Sequence, residues 1–135
     1  MDTPTVWARA HLADGDGRVV HVDVNGLAVP CTVPADDGVP EGATSYGLLA
    51  ASLSSCTAMS VRTFLQRWEC AGSPVEVDVA FESGSPPVMH RRVRLAADLD
   101  EDARRQLAAV VDSTPVTILL RDALVIVTQL DVRAP

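Results

Sequence analysis

Leu48-Leu49-Ala50-Ala51-Ser52-Leu53-Ser54-Ser55-Cys56-Thr57-Ala58-Met59 carries no charge, no proline and no glycine. Around it, from Tyr46 to Cys70, there is no proline, and the one glycine, Gly47, falls in the first turn. The pattern predicts a long helix of roughly seven turns. Thr44 or Ser45 supplies an N-cap, because a hydroxyl there can accept from the orphan amides of the first turn. In the first half of this helix apolar and small residues lie on every side, which predicts burial on every side. The second half becomes amphipathic, with Arg62, Gln66, Arg67 and Glu69 among Val61, Phe64, Leu65 and Trp68. Gly72-Ser73-Pro74 closes it.

Upstream, Val6–Leu12 alternates loosely and reads as a strand. Asp14-Gly15-Asp16-Gly17 is a hairpin turn signal, and the β-branched run Val19, Val20, Val22 and Val24 follows. Asn25-Gly26 is the strongest hairpin signal in the chain, leading into a third strand over Leu27–Val33. Pro34 to Thr44 is a loop. Downstream, Val75, Val77, Val79 and Phe81 alternate with Glu76, Asp78 and Glu82, the mark of a half-buried strand. A turn at Gly84-Ser85-Pro86-Pro87 precedes a strand over Val88–Ala97, on which Arg91, Arg92 and Arg94 are expected to form a solvated face. A helix rich in acids at its start runs from Asp98–Asp102 to about Asp112, as the helix dipole favours. Ser113-Thr114-Pro115 begins a short third helix, a cap followed by proline near N1. Leu124–Leu130 is the last strand. The order βββ–α–ββ–αα–β is an α+β layout around one central helix.

The chain has 135 residues and a formal charge of −7, which fits one domain over 1–135. Hydrophobic residues make up 47% and aromatics 4%, so the core is aliphatic. All 11 basic residues are arginines, which excludes Schiff-base chemistry and a P-loop lysine. With a pI near 4.7, a nucleic-acid partner is not expected. Met1 to Ala10 has neither a basic n-region nor an apolar h-region, so a secretory signal is not expected. No uninterrupted apolar run approaches the length of a membrane span, so no membrane partner is expected. A cytoplasmic location follows as an expectation, in which the three cysteines are reduced thiols rather than a disulfide framework.

Thiol chemistry must then come from Cys31, Cys56 or Cys70. Two readings are open for Cys56: a small core residue, or a nucleophile, which needs a nearby cation to favour the thiolate. Cys56 lies more than two turns into the helix, where the N-terminal dipole acts weakly, so the cation would come from elsewhere. Cys70 follows 14 residues on in the same predicted helix, about 21 Å along the axis, too far for a disulfide within one chain. Cys31 reads as a core or edge residue with no assigned partner. His11, His21 and His90 lack metal-ligand spacing, so no metal and no other cofactor is expected. Asp100, Glu101 and Asp102 read as a helix-start charge cluster.

The small-residue helix with its mid-helix Cys56, the alternating strand pair after it, and the Ser113-Thr114-Pro115-Val116-Thr117 turn ahead of an apolar strand occur in this order. Together they resemble the OsmC/Ohr superfamily of osmotically inducible and organic hydroperoxide resistance proteins, over nearly the whole chain. The resemblance implies antiparallel sheets wrapped around a long central helix in an intertwined homodimer. It implies thiol-dependent reduction of organic hydroperoxides, with Cys56 at the peroxidatic position. The resolving-cysteine position holds Thr114, so an external thiol reductant is implied. The family's Glu ten residues before the peroxidatic cysteine is replaced by Tyr46, with Ser45 before it. The arginine that assists the thiolate in the family corresponds to Arg18, within a few residues. Tyr46 and Met59 are the candidate substrate-binding residues. The alternative is a catalytically degenerate module of the same fold that binds a small apolar ligand at the dimer interface.

Overall fold

The computed structural model describes residues 6–12, 18–32, 42–70 and 72–135. The expected turn at Asp14–Gly17 and most of the loop after Val33 lie outside them. The elements run β1 (Ala8–His11), β2 (Val19–Val24), β3 (Leu27–Thr32), α1 (Ser45–Arg67), β4 (Val75–Glu82), β5 (Val88–Ala96), α2 (Glu101–Val111), α3 (Pro115–Leu120) and β6 (Val125–Arg133). The expected α+β order is the observed one. The chain divides into two compact units, Met1–Leu48 and Leu49–Pro135.

In the first unit β1, β2 and β3 form an antiparallel meander. Its second hairpin turns at Asn25-Gly26, where both residues have positive φ (49° and 92°). That is the mirror-image turn whose twist matches a right-handed strand pair, and Asn-Gly tolerates it best. The Asp23 carboxylate accepts from the Gly26 amide at 2.6 Å, and Asn25 Oδ1 accepts from the Trp7 amide at 3.0 Å. The opening turn of α1 closes the unit, with Thr44 as the cap: its hydroxyl accepts from the Gly47 amide at 3.0 Å.

The second unit packs α1, α2 and α3 with a sheet of order β4-β5-β6. This sheet corrects the expectation of antiparallel pairing throughout. β4 and β5 pair antiparallel, whereas β5 and β6 pair parallel, Val88 opposite Val125 through Ala96 opposite Arg133. The reason is the connection. A tight turn joins β4 to β5, but α2 and α3 carry the chain from the end of β5 back to the level where it began. The core follows strand parity. Met89, Val93 and Leu95 point inward from β5, and the last two join Val61, Phe64 and Leu65 of α1 and Ala103, Leu107 and Val111 of α2 in one buried cluster. A second cluster gathers Leu53, Met89 and Leu124. Each such aliphatic side chain contributes about 1.5–3 kcal/mol by leaving water.

Two expectations about α1 need correcting. It ends at Arg67, before Cys70. Glu69 takes a left-handed conformation (φ 58°), the Cys70 amide donates to the Leu65 carbonyl at 2.9 Å, and the Glu69 amide donates to that of Gln66 at 3.4 Å. This is a Schellman termination made without glycine. Nor is the first half buried all round in a single copy. Leu53, Thr57 and Val61 form the buried stripe, because the sheet covers one face only, while Ala51, Ser55 and Met59 are exposed. By length and composition α1 is also long and apolar enough to cross a membrane, although it holds no uninterrupted apolar run of that length. A helix packed on a protein core passes the same test; α1 has a buried stripe, Leu53, Thr57 and Val61, on one face.

Candidate functional site

β5 alternates strictly, with His90, Arg92 and Arg94 on the outer face and Met89, Arg91, Val93 and Leu95 on the inner. Arg91 therefore enters the core, and the expectation that it belongs to a solvated arginine face is overturned. The residue is 2% exposed. The guanidinium is held by three threonine hydroxyls from three elements. Nη1 donates to Thr57 of α1 at 3.1 Å and to Thr117 of α3 at 2.8 Å, while Nε and Nη2 both donate to Thr128 of β6, at 3.1 and 2.9 Å. Four of the five guanidinium N–H groups are thus engaged. Nη2 also lies 3.8 Å from the carboxylate of Asp112, the C-cap residue of α2, whose side chain is 75% exposed.

Two of these hydroxyls are fixed in turn. Thr57 donates to the Leu53 carbonyl one turn back, at 2.7 Å. Thr117 shares a 2.6 Å hydrogen bond with Thr114, either oxygen able to donate. Thr114 is the N-cap of α3, accepting from the Thr117 amide at 3.3 Å, with Pro115 next in line. The position where the family resemblance places a resolving cysteine is thereby a buried hydroxyl, one hydrogen bond removed from the Arg91 cage.

Cys56 adjoins this cage through Thr57. One helical residue is a step of about 100°, so with Thr57 facing inward Cys56 falls at the border of the buried stripe, where it is half-buried and its thiol free. Burial pushes the Arg91 guanidinium below its ordinary range, while Asp112 and Cys56 each pull it back up. Cys56, Thr57, Arg91, Asp112, Thr114, Thr117 and Thr128 all belong to the second unit.

Tyr46 and Met59 are exposed on α1, 62% and 69% respectively. Tyr46 lines an apolar cleft of about 460 Å³ in the first unit, with Val20, Val22, Cys31 and Leu48. Arg18 stands exposed ahead of β2, also in the first unit. Cys31 is buried on β3, and Cys70 packs against the larger core cluster just beyond α1. Among the described residues no three His, Cys, Asp or Glu side chains gather as metal ligands would. Asp100 is a helix cap, accepting from the Ala103 amide at 2.8 Å. Arg91 is what reading the sequence missed, and the signal was present: it shares parity with Met89, Val93 and Leu95, not with Arg92 and Arg94.

No protein-family model matches the sequence, and no curated protein matches it. Solved structures do. An OsmC-like protein of Mycoplasma pneumoniae superposes with a TM-score of 0.77 at 12% identity, over 98% of this chain and 99% of the other. An organic hydroperoxide resistance protein of Elizabethkingia anophelis gives 0.69 at 18% identity, over the full length of both chains. The organic hydroperoxide resistance protein OhrB of Bacillus subtilis gives 0.61 at 17% identity, over 93% and 97%. The chain has the OsmC/Ohr fold.

Proposed function

We propose that the chain is a thiol-dependent organic hydroperoxide reductase with Cys56 as its nucleophile, acting as a homodimeric single domain over 1–135 in the cytoplasm. The observation that carries this reading is the half-buried free thiol of Cys56, next in the chain to Thr57, whose hydroxyl binds the buried Arg91. A cation beside a thiol favours the reactive thiolate. Similarity to hydroperoxide resistance proteins supports the substrate class. The Cys56 thiolate attacks the terminal oxygen of the hydroperoxide. The S–O bond forms, the O–O bond breaks, and the alkoxide leaves and takes a proton to become an alcohol. Cysteine is oxidised to the sulfenic acid and the peroxide is reduced. With Thr114 at the resolving position, an external dithiol completes the cycle. Its first thiol forms a mixed disulfide with Cys56 and releases water, and its second releases Cys56 as the thiol. Arg18, Tyr46 and Met59 join the site as thiolate helper and substrate contacts when a second copy covers the exposed Ala51–Ser55–Met59 stripe of α1.

The test is turnover of cumene hydroperoxide with dithiothreitol or a dihydrolipoyl donor, wild type against Cys56→Ser. Loss of turnover in the variant is expected, and equal rates would overturn the reading. The apolar cleft beside Tyr46 favours a second reading, a non-catalytic module that holds a small apolar ligand. Saturable binding of such a ligand without any peroxide consumption would select it.

A further inference from the structure

His11 and His21 have no metal-ligand spacing along the chain, yet the meander of the first unit brings them together. β1 and β2 pair antiparallel with His11 directly opposite His21. The Asn25 amide donates to the Trp7 carbonyl at 3.2 Å, which makes that pair a hydrogen-bonded one. Every second pair beyond it is of the same kind, first Arg9 with Asp23 and then His11 with His21. The Cα atoms of such a pair stand about 5.5 Å apart, with both side chains on one face of the sheet. Strand parity decides which face. Ala10, Val20 and Val22 line the apolar cleft, so His11 and His21 project from the opposite face, and both are exposed. Their neighbours on that face have other engagements. The Asp23 carboxylate accepts from the Gly26 amide at 2.6 Å, and the Arg9 guanidinium lies over the Trp7 ring, 5.9 Å from its centroid. Across from His21 on β3 stands Pro30, which offers no side-chain ligand. His90, on the other sheet, is engaged by Glu82 at 2.7 Å.

We propose that His11 and His21 form a bidentate site for a divalent first-row transition ion, with one ring nitrogen from each strand. Imidazole suits these ions in common. Metal–nitrogen bonds of about 2.0–2.1 Å put two adjacent donors about 3 Å apart. Two rings rooted on an opposed cross-strand pair reach that separation by choice of side-chain rotamer. Two nitrogens without a carboxylate select Cu²⁺, Ni²⁺ or Zn²⁺ over Mg²⁺ or Ca²⁺, which take oxygen ligands. Among the described residues no third His, Cys, Asp or Glu completes a cluster, so water fills the other coordination positions and the ion exchanges. Binding ties β1, a four-residue edge strand, to β2. The site stands independently of the reading of Cys56.

The probe is Ni²⁺, which favours nitrogen donors and, unlike Cu²⁺, does not oxidise thiols. It is titrated into the reduced whole chain while the histidine ring signals are followed by NMR. The signals of His11 and His21 are expected to respond together, at the same Ni²⁺ concentration, while those of His90 stay in place. A bidentate site needs both rings. His11→Gln should therefore abolish the response of His21, and His21→Gln that of His11, each as completely as the double variant does. His90→Gln should leave the paired response intact. Both side chains are at the surface, so these substitutions should leave the fold unchanged. Saturating Ni²⁺ should also slow amide exchange along β1 in the wild type and in neither single variant. Responses of His11 and His21 at different Ni²⁺ concentrations, or an undiminished response of His21 in His11→Gln, would overturn the proposal. So would Ni²⁺ uptake that moves neither ring.

Discussion

The two faces of β5 treat one residue type in two ways. On the outer face Arg92 meets Asp131 at 2.9 Å, and Arg94 lies against Asp78 and Glu76. These pairs are solvated, exchangeable and worth little. On the inner face Arg91 has neutral hydroxyls for company and a carboxylate only at 3.8 Å. One residue of strand register separates a surface charge from a charge held in the core. Arginine on a strand is therefore informative only once its parity is known, and an arginine sharing parity with Met89, Val93 and Leu95 is there for something other than solubility.

The contrast can be broken first at the apolar neighbours. Leu95→Ala removes a core contact of the inner face and is expected to cost about 2–5 kcal/mol by denaturant unfolding; a cost near zero would mean that the inner face is not packed as described. Next comes the arginine cage. Thr57→Val keeps the shape but removes the acceptor of one Arg91 N–H, with an expected cost of about 1–3 kcal/mol. The outer face should barely register: Arg94→Ala changes stability by less than about 1 kcal/mol, and addition of salt reduces the difference further.

The smallest effect is a pH dependence. The hydrogen bond from Arg92 holds the Asp131 carboxyl below its ordinary range, with Gln129 and the charges of Arg92 and Arg133 acting in the same direction and desolvation opposing them. A carboxyl lowered in the folded state stabilises above its unfolded pKa and loses that contribution as pH falls through the folded one. Asp131→Asn should accordingly be slightly less stable than wild type at neutral pH. The two unfolding curves should converge on acidification below the ordinary carboxylate range.

Much of the fold was legible because its signals are local. Asn25-Gly26 can hardly be anything but a hairpin, Thr44 and Thr114-Pro115 mark helix starts, and Val75–Glu82 alternates without a break. The end of α1 was harder to read, because Glu69 adopts a left-handed conformation for which glycine is the usual signal. The parallel β5–β6 pairing is a long-range outcome of the crossover, which no window of sequence contains. The site divided in the same way. Cys56 could be found from its helix and Thr114 from its cap, since each sits in a local motif. The role of Arg91 depends on Thr57, Thr117 and Thr128, which lie 34, 26 and 37 residues away along the chain. Three arginines within four residues also invite a single collective reading, which the alternation of the strand contradicts.

The account stands on Cys56 being the thiol that takes oxygen from an organic hydroperoxide with no internal cysteine to resolve it. The direct measurement is to treat the reduced protein with equimolar cumene hydroperoxide in the presence of dimedone and to map the adduct by peptide mass spectrometry. The predicted result is a dimedone-trapped sulfenic acid at Cys56, with Cys31 and Cys70 unmodified. An untouched Cys56, or a disulfide joining it to Cys31 or Cys70, would contradict the account.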